Sequence, residues 1–413
     1  MKKIILSLSF LFLFSNAVLS QSISIGERFD LESKILNETR SYQVYLPPSY
    51  HSNPTAIYPV LYILDGDYNF HYDSGLLEFL SNGAFSIPEM IMIGISDKGG
   101  AKQLYYSDPK KGGDQFIQFI QEELKPHIDK KFRTASLNIL AGHSKFGLLV
   151  THYWMKQHND FDIFLAIDPS YWFNENAIVK EMEGLISDTF KPLNKLWIAQ
   201  ANTQGMGIDE FVDVLKKNSF NEEYWKLMPY PNDDHGSLHL KSITDMLNEV
   251  FNGWNLSSKQ FYEFKGSNDL INYYKSMKEK HGIEFLLSWY MLRNVTNYYI
   301  RKEQYDELKI LESGIATHFP QSLNVYYIQL ANNYVSANLF DKAESLLTKS
   351  LETNADSFEA YEALSTIYLK KNLYKQAKIY AEKALKLASK SEARQWTING
   401  LLSNIEEIEK HSN

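Results

Sequence analysis

A chain of 413 residues is too long for one ordinary compact domain, and 44% hydrophobic with 22% charged residues is globular composition, so two domains with sizeable cores are expected. The formal charge of -8, with no clustered basic stretch, argues against nucleic acid as a partner. The absence of cysteine excludes disulfides, thiolate metal sites and a lipid-modified cysteine.

Residues 1–20 open with Lys2 and Lys3, run through an apolar stretch from Ile4 to Phe14, and end on Val18, Leu19 and Ser20. That order is the pattern of a secretory signal, and the stretch is short for a bilayer span. An exported chain, periplasmic or secreted, with residues 1–20 removed is therefore expected. No later stretch is long and apolar enough for a membrane helix.

Between about 40 and 250, short apolar runs alternate with helical stretches. The runs are "SYQVYLP" (41–47), "YPVLYILDG" (58–66), "MIMIGIS" (90–96), "LNILAG" (137–142), "DIFLAID" (162–168), "KLWIAQA" (195–201) and "YWKLMPY" (224–230). Amphipathic segments such as "GDQFIQFIQEELKPHIDKKF" lie between several of them. Continuous apolar strands alternating with helices imply an α/β fold with a mostly parallel sheet covered on both faces. This domain is expected over 21–254.

After about 255 the strand signal gives way to helix, and a second, all-α domain is expected over 255–410. Tyr327, Leu330, Ala331, Tyr334, Ala343 and Leu347 recur 34 residues later as Tyr361, Leu364, Ser365, Tyr368, Ala377 and Ala381. The period and the alternation of large and small residues are those of tetratricopeptide repeats, clearest over 324–391. Tyr299, Leu308 and Pro320 mark a looser unit before them. Stacked repeats leave a concave surface that can hold a protein or peptide partner.

The chemistry concentrates in the first half. In "LAGHSKFGLL" (140–149), Ser144 stands between an apolar strand and a helical segment, where a sharp turn presents a nucleophilic hydroxyl at the sheet's C-terminal edge. Such a serine needs a histidine base backed by an acid. His235, in the turn "PNDDHGS" after the last apolar run, is the candidate base, with Ser237 placed to cap the following helix. His239, one turn on, would sit on the helix instead. The acid is expected after "KLWIAQA", with Asp209 first, Glu210 beside it and Asp168 as a rival from the preceding strand. The oxyanion would be held by the backbone N–H groups of Lys145 and Asp67. "DGDYN" fails as a calcium loop because Phe70 and Leu76 stand where glycine and glutamate are needed, so neither metal nor cofactor is implied.

Together these residues resemble the esterase family of α/β-hydrolases that includes esterase D, siderophore esterases, feruloyl esterases and mycolyl transferases. The likeness runs from "ESKILNETRSYQVYLPPSY" through "YPVLYILDGDYNF", "AGHSKFG" and "AIDPSYWF" to "DDHGS", covering nearly all of 25–252. It implies an α/β-hydrolase with Ser144 as nucleophile, His235 as base, Asp67 and Lys145 at the oxyanion hole and Asp209 as a loose match to the acid. The implied substrates are siderophore or carbohydrate-linked acyl esters. One departure stands out. Phe146 occupies a position that relatives fill with a small residue, because the helix returns close to the strand there. The competing expectation is a hydrolase fold that this residue has silenced, with the repeats serving as a binding module.

Overall fold

The computed structural model describes residues 24–96, 112–186, 190–391 and 393–412. The expected signal segment, 1–20, lies outside them. Eight strands form one sheet: β1 (Glu27–Ser33), β2 (Glu38–Tyr45), β3 (Tyr58–Leu64), β4 (Ile91–Ile95), β5 (Thr134–His143), β6 (Ile163–Ile167), β7 (Lys195–Ala201) and β8 (Trp225–Tyr230). Their spatial order is β1-β2-β4-β3-β5-β6-β7-β8. The first two strands pair antiparallel, β2 runs antiparallel to β4, and every pair from β4 to β8 is parallel. All seven expected strands are present. The eighth, β1, escaped the sequence reading because "ERFDLES" is an edge strand with mainly polar residues, most of them exposed or half-buried.

Central strands are buried on both faces, which explains their unbroken apolar character. In β3, Val60, Tyr62 and Leu64 face one cluster, and Leu61 and Ile63 face the other. The first cluster is closed by α2 (Gly113–Phe119), α3 (Lys125–Lys131), α4 (Lys145–Met155), α5 (Phe173–Leu185) and α6 (Ile208–Lys217). A π-helical turn, Ile120–Leu124, joins α2 to α3, so the amphipathic segment forms one nearly continuous helical stretch. On the other face lie α1 (Gly66–Glu78) and α7 (Leu238–Val250).

The rest of the chain is helical: α8 (Ser258–Glu263), α9 (Ser267–His281), α10 (Trp289–Arg301), α11 (Tyr305–His318), α12 (Leu323–Ser336), α13 (Phe340–Thr353), α14 (Phe358–Lys370), α15 (Tyr374–Lys390) and α16 (Gln395–Ser412). The recurring residues fall at equivalent places in α12/α13 and α14/α15. All are buried except Tyr368, which is half-buried. Small residues mark close helix approach: Ser365 stands where the preceding pair has Ala331, and its hydroxyl donates to the Ala377 carbonyl at 2.9 Å. Tyr380 stacks on both Tyr361 and Tyr368.

These helices do not pack as a separate body. Leu61, Ile63 and Leu137 of the sheet, Met246 and Leu247 of α7, and Trp254, Leu270, Phe285 and Leu292 beyond it belong to one buried cluster. Contacts across the junction fall where the parallel strands begin. Ser136, near the start of β5, donates to the Gly282 carbonyl at 2.9 Å, and the Ile57 N–H, just before β3, donates to Gln321 Oε1 at 3.2 Å. The helical half thus sits at the N-terminal edge of the parallel strands.

A shared core should unfold as one unit. Phe285, 1% exposed, meets the Trp254 ring edge-on at 4.5 Å. Phe285→Ala is expected to cost about 3–5 kcal/mol. Urea unfolding followed by tryptophan fluorescence and by far-ultraviolet circular dichroism should give coincident midpoints that move together, and separate transitions would contradict the shared core.

Candidate active site

The catalytic candidates gather at the opposite, C-terminal edge of the sheet. β5 ends at His143, α4 starts at Lys145, and Ser144 between them is held at φ 59, ψ -116, a strained conformation for a residue with a side chain. Backbone bonds fix it there: its N–H donates to the Ile167 carbonyl at 2.9 Å, and its carbonyl accepts from Leu148 and Ser170 at 3.1 and 3.0 Å. Its Oγ lies 3.1 Å from Ser170 Oγ.

The turn closes despite Phe146. A Cβ on Gly142 would come within 2.7 Å of the Phe146 backbone, and one on Gly147 within 3.0 Å of Pro169 and 3.1 Å of the Gly142 carbonyl. Clearance between helix and strand therefore comes from Gly142 and Gly147. The half-buried Phe146 side chain packs against the apolar cluster on the α4 side of the sheet. The expected collision does not occur.

His235 lies in the loop after β8, and its Nδ1 is 2.6 Å from Oδ2 of Asp168. Asp168 follows β6 at φ 38 and is fully buried. Its N–H donates to the Ala199 carbonyl at 2.8 Å, and its Oδ1 accepts from the Ala201 N–H at 2.9 Å. These bonds lay Asp168 across the end of β7 and direct its second oxygen to the loop after β8. Asp209, the acid expected first, is not the carboxylate that meets His235. That residue is exposed in the first turn of α6 and accepts from Gln200 Nε2 at 2.7 Å; Glu210, next to it, is also exposed. A signal for Asp168 existed in the sequence: a carboxylate directly after a wholly apolar strand is costly to bury unless paired.

The loop bearing His235 is tied from within. Asp234 Oδ1 accepts from the N–H groups of Gly236 and Ser237 at 2.9 and 2.8 Å, and these bonds hold the Asp234 carboxyl below its ordinary range. Ser237 does not cap α7 with its side chain as expected; its Oγ accepts from the Asp234 N–H at 2.9 Å.

Sequence reading passed over His143 altogether. Its ring lies 4.4 Å from that of His235 and 5.8 Å from that of His239, and its Nε2 donates to the His235 carbonyl at 2.9 Å. His239 is on α7, as expected, with its Nε2 3.1 Å from both oxygens of the fully buried Asp73. Three histidines therefore form a row with a carboxylate at each end. Burial, then the neighbouring His235 and His239, push His143 down to about 4, so at neutral pH its ring is uncharged.

The two oxyanion candidates occupy helix starts, where first-turn N–H groups point out of the helix. Lys145 opens α4, and Asp67 lies in the first turn of α1. Arg28 and the Ser96 hydroxyl each donate to Asp67 Oδ1 at 2.9 Å, turning that carboxylate to β1 and the end of β4.

With the strained serine, the contact between His235 and the buried Asp168 and the sheet order in place, comparison with known proteins bears on the central segment. Residues 33–217 match the family described as Putative esterase. The siderophore enterobactin esterase of Emericella nidulans is 37% identical over 79 residues, 18% of this chain and 26% of that protein. Ferri-bacillibactin esterase BesA of Bacillus subtilis is 26% identical over 191 residues, 40% of this chain and 66% of that protein. The chain thus matches between about a quarter and two-thirds of the length of these relatives. An IroE-like serine hydrolase from Shewanella oneidensis has a similar structure, with a TM-score of 0.59 and 26% identity over 70% of this chain and 98% of that one. The matched segment ends before β8, so the His235 loop lies beyond it.

The row of histidines makes a pH prediction. Because the folded protein holds His143 at about 4, against an ordinary 6.5, the unfolded chain binds more protons between those values. Stability from this group is therefore present above about 6.5 and lost as pH falls toward 4. His143→Gln should remove up to one proton, about 1.4 kcal/mol per pH unit, from the slope of unfolding free energy across this window. Chemical denaturation at several pH values measures the difference, and equal slopes would refute the assignment.

Proposed function

We propose that this chain is an exported serine esterase that cleaves carboxylic esters through an acyl-enzyme. The observation that carries the reading is the 2.6 Å contact between His235 and a fully buried Asp168, next to a serine held in a strained strand-to-helix turn. Ser144 Oγ attacks the acyl carbon while His235 takes its proton through Nε2. Asp168 orients the imidazole through Nδ1 and stabilises the imidazolium that forms. The N–H groups of Asp67 and Lys145 receive the developing oxyanion. His235 then protonates the leaving alcohol, and water, activated by the same histidine, releases the acid.

The substrate class is a siderophore or carbohydrate-linked acyl ester. Support for the former comes from relatives named as esterases of enterobactin and ferri-bacillibactin. Export rests on the signal pattern of residues 1–20. We read 21–254 as the catalytic domain and 255–410 as a domain of tetratricopeptide-like repeats.

Hydrolysis of short p-nitrophenyl esters tests the roles. Ser144→Ala and His235→Ala should abolish turnover beyond background. Asp168→Asn should lower kcat by about 10⁴-fold, while Asp209→Asn should change it by no more than about twofold; the reverse ranking would return the acid to Asp209. Phe146→Gly should bring no gain in rate and should cost about 0.5 kcal/mol in stability from helix propensity alone. A large gain would mean that Phe146 obstructs the turn after all.

A further inference from the structure

A cleft of about 560 Å³ opens at the other end of the molecule, between the loops entering β3 and β4 and the helices α12, α14 and α16. That volume is in the range of small-molecule sites. Its walls are largely apolar, including Leu287 and Ile328, and Trp396 and Trp289 stand at it 74% and 38% exposed. Large exposed rings around an apolar hollow suit an organic ligand better than water.

The charges in the cleft are unbalanced. Glu78, Glu89, Glu359 and Glu362 line it, against one guanidinium, Arg394, which is committed to Glu78 at 2.6 Å. Among the described residues, Glu89, Glu359 and Glu362 have no lysine or arginine partner. Glu89 accepts from Asn82 at 2.9 Å and from Ser49, while Glu359 accepts from the Ser357 hydroxyl at 3.0 Å. Burial pushes all three carboxyls above their ordinary range, and Glu359 adds to the effect on Glu362. Ser288 Oγ and Arg394 Nε, both from lining residues, are buried without a hydrogen-bond partner.

We propose that this cleft is a second ligand site, separate from the catalytic edge, that takes an organic cation: an ammonium or guanidinium on an apolar stem. The carboxylates receive the positive charge, the tryptophan faces add cation–π attraction, and the apolar walls cover the stem. The site is built across the junction, with Glu78 and Glu89 from the sheet-bearing half and Glu359 and Glu362 from the helical half.

Calorimetric titration of the full chain with diaminooctane, octanediol and the peptide Leu-Lys-Leu tests this. Diaminooctane is expected to bind saturably, and octanediol to bind at least about tenfold more weakly. Glu359→Gln, Glu362→Gln and the surface variant Trp396→Ala should each weaken the diamine by about tenfold, with thermal unfolding unchanged for Trp396→Ala. Ser144→Ala should bind like the parent, which separates this site from the esterase reading. If Leu-Lys-Leu binds and the diamine does not, the cation is one carried on a peptide side chain, which also upholds the site. Equal affinity for diamine and diol, undiminished binding in the glutamine variants, or no saturation by either cation at millimolar concentration would overturn it.

Discussion

The candidate active site depends on one buried carboxylate. Asp168 is fully enclosed at the end of β6, and an ionised group there is tolerable only if its lone pairs are occupied. Ala201 of β7 supplies one donor and His235 from the loop after β8 supplies the other. The same bonds that satisfy the charge tie β6, β7 and the histidine loop into one rigid edge. Positioning of His235 thus follows from satisfying the burial, and the left-handed backbone of Asp168 aims the side chain across β7.

Beside this edge the strained turn at Ser144 is held by packing as well as bonding. Two glycines let α4 return against β5 and the Pro169 loop, and this freed the intervening position for a large side chain. Phe146 does not break the pattern because close approach is a property of backbone separation, and the separation is secured at Gly142 and Gly147. His143, immediately before the serine, binds the carbonyl of His235. Ser144 and His235 are therefore registered to each other through an uncharged neighbour, His143.

Much of this was legible in the sequence because the signals were local. Apolar runs located seven strands, the 34-residue echo located paired helices, and strand-to-helix context singled out Ser144. The failures have a common cause. β1 was missed because a half-exposed edge strand loses the apolar run that marks a buried one. Chain order points to Asp209 because it is a one-dimensional guide, whereas the side chain that crosses the end of β7 to His235 is that of Asp168. His143 and Asp73 carried no signal, since their partners lie 92 and 166 residues away along the chain.

The continuity of the core explains why the helical half matters to the whole. α1 and α7 leave the sheet's second apolar face incompletely covered at the edge where β3 and β5 begin. Trp254, Phe285 and the helices after them complete it. The junction lies at the end of the strands remote from Ser144, so the helices can be required for folding without crowding the edge that carries Ser144. Polar bonds across the seam, such as Asn354 to the Ser52 carbonyl at 2.7 Å and Arg394 to Glu78 at 2.6 Å, fix the register between the halves. That registration is what lets residues from both halves converge on a single cleft, and it ties the shape of the cleft to the shared core.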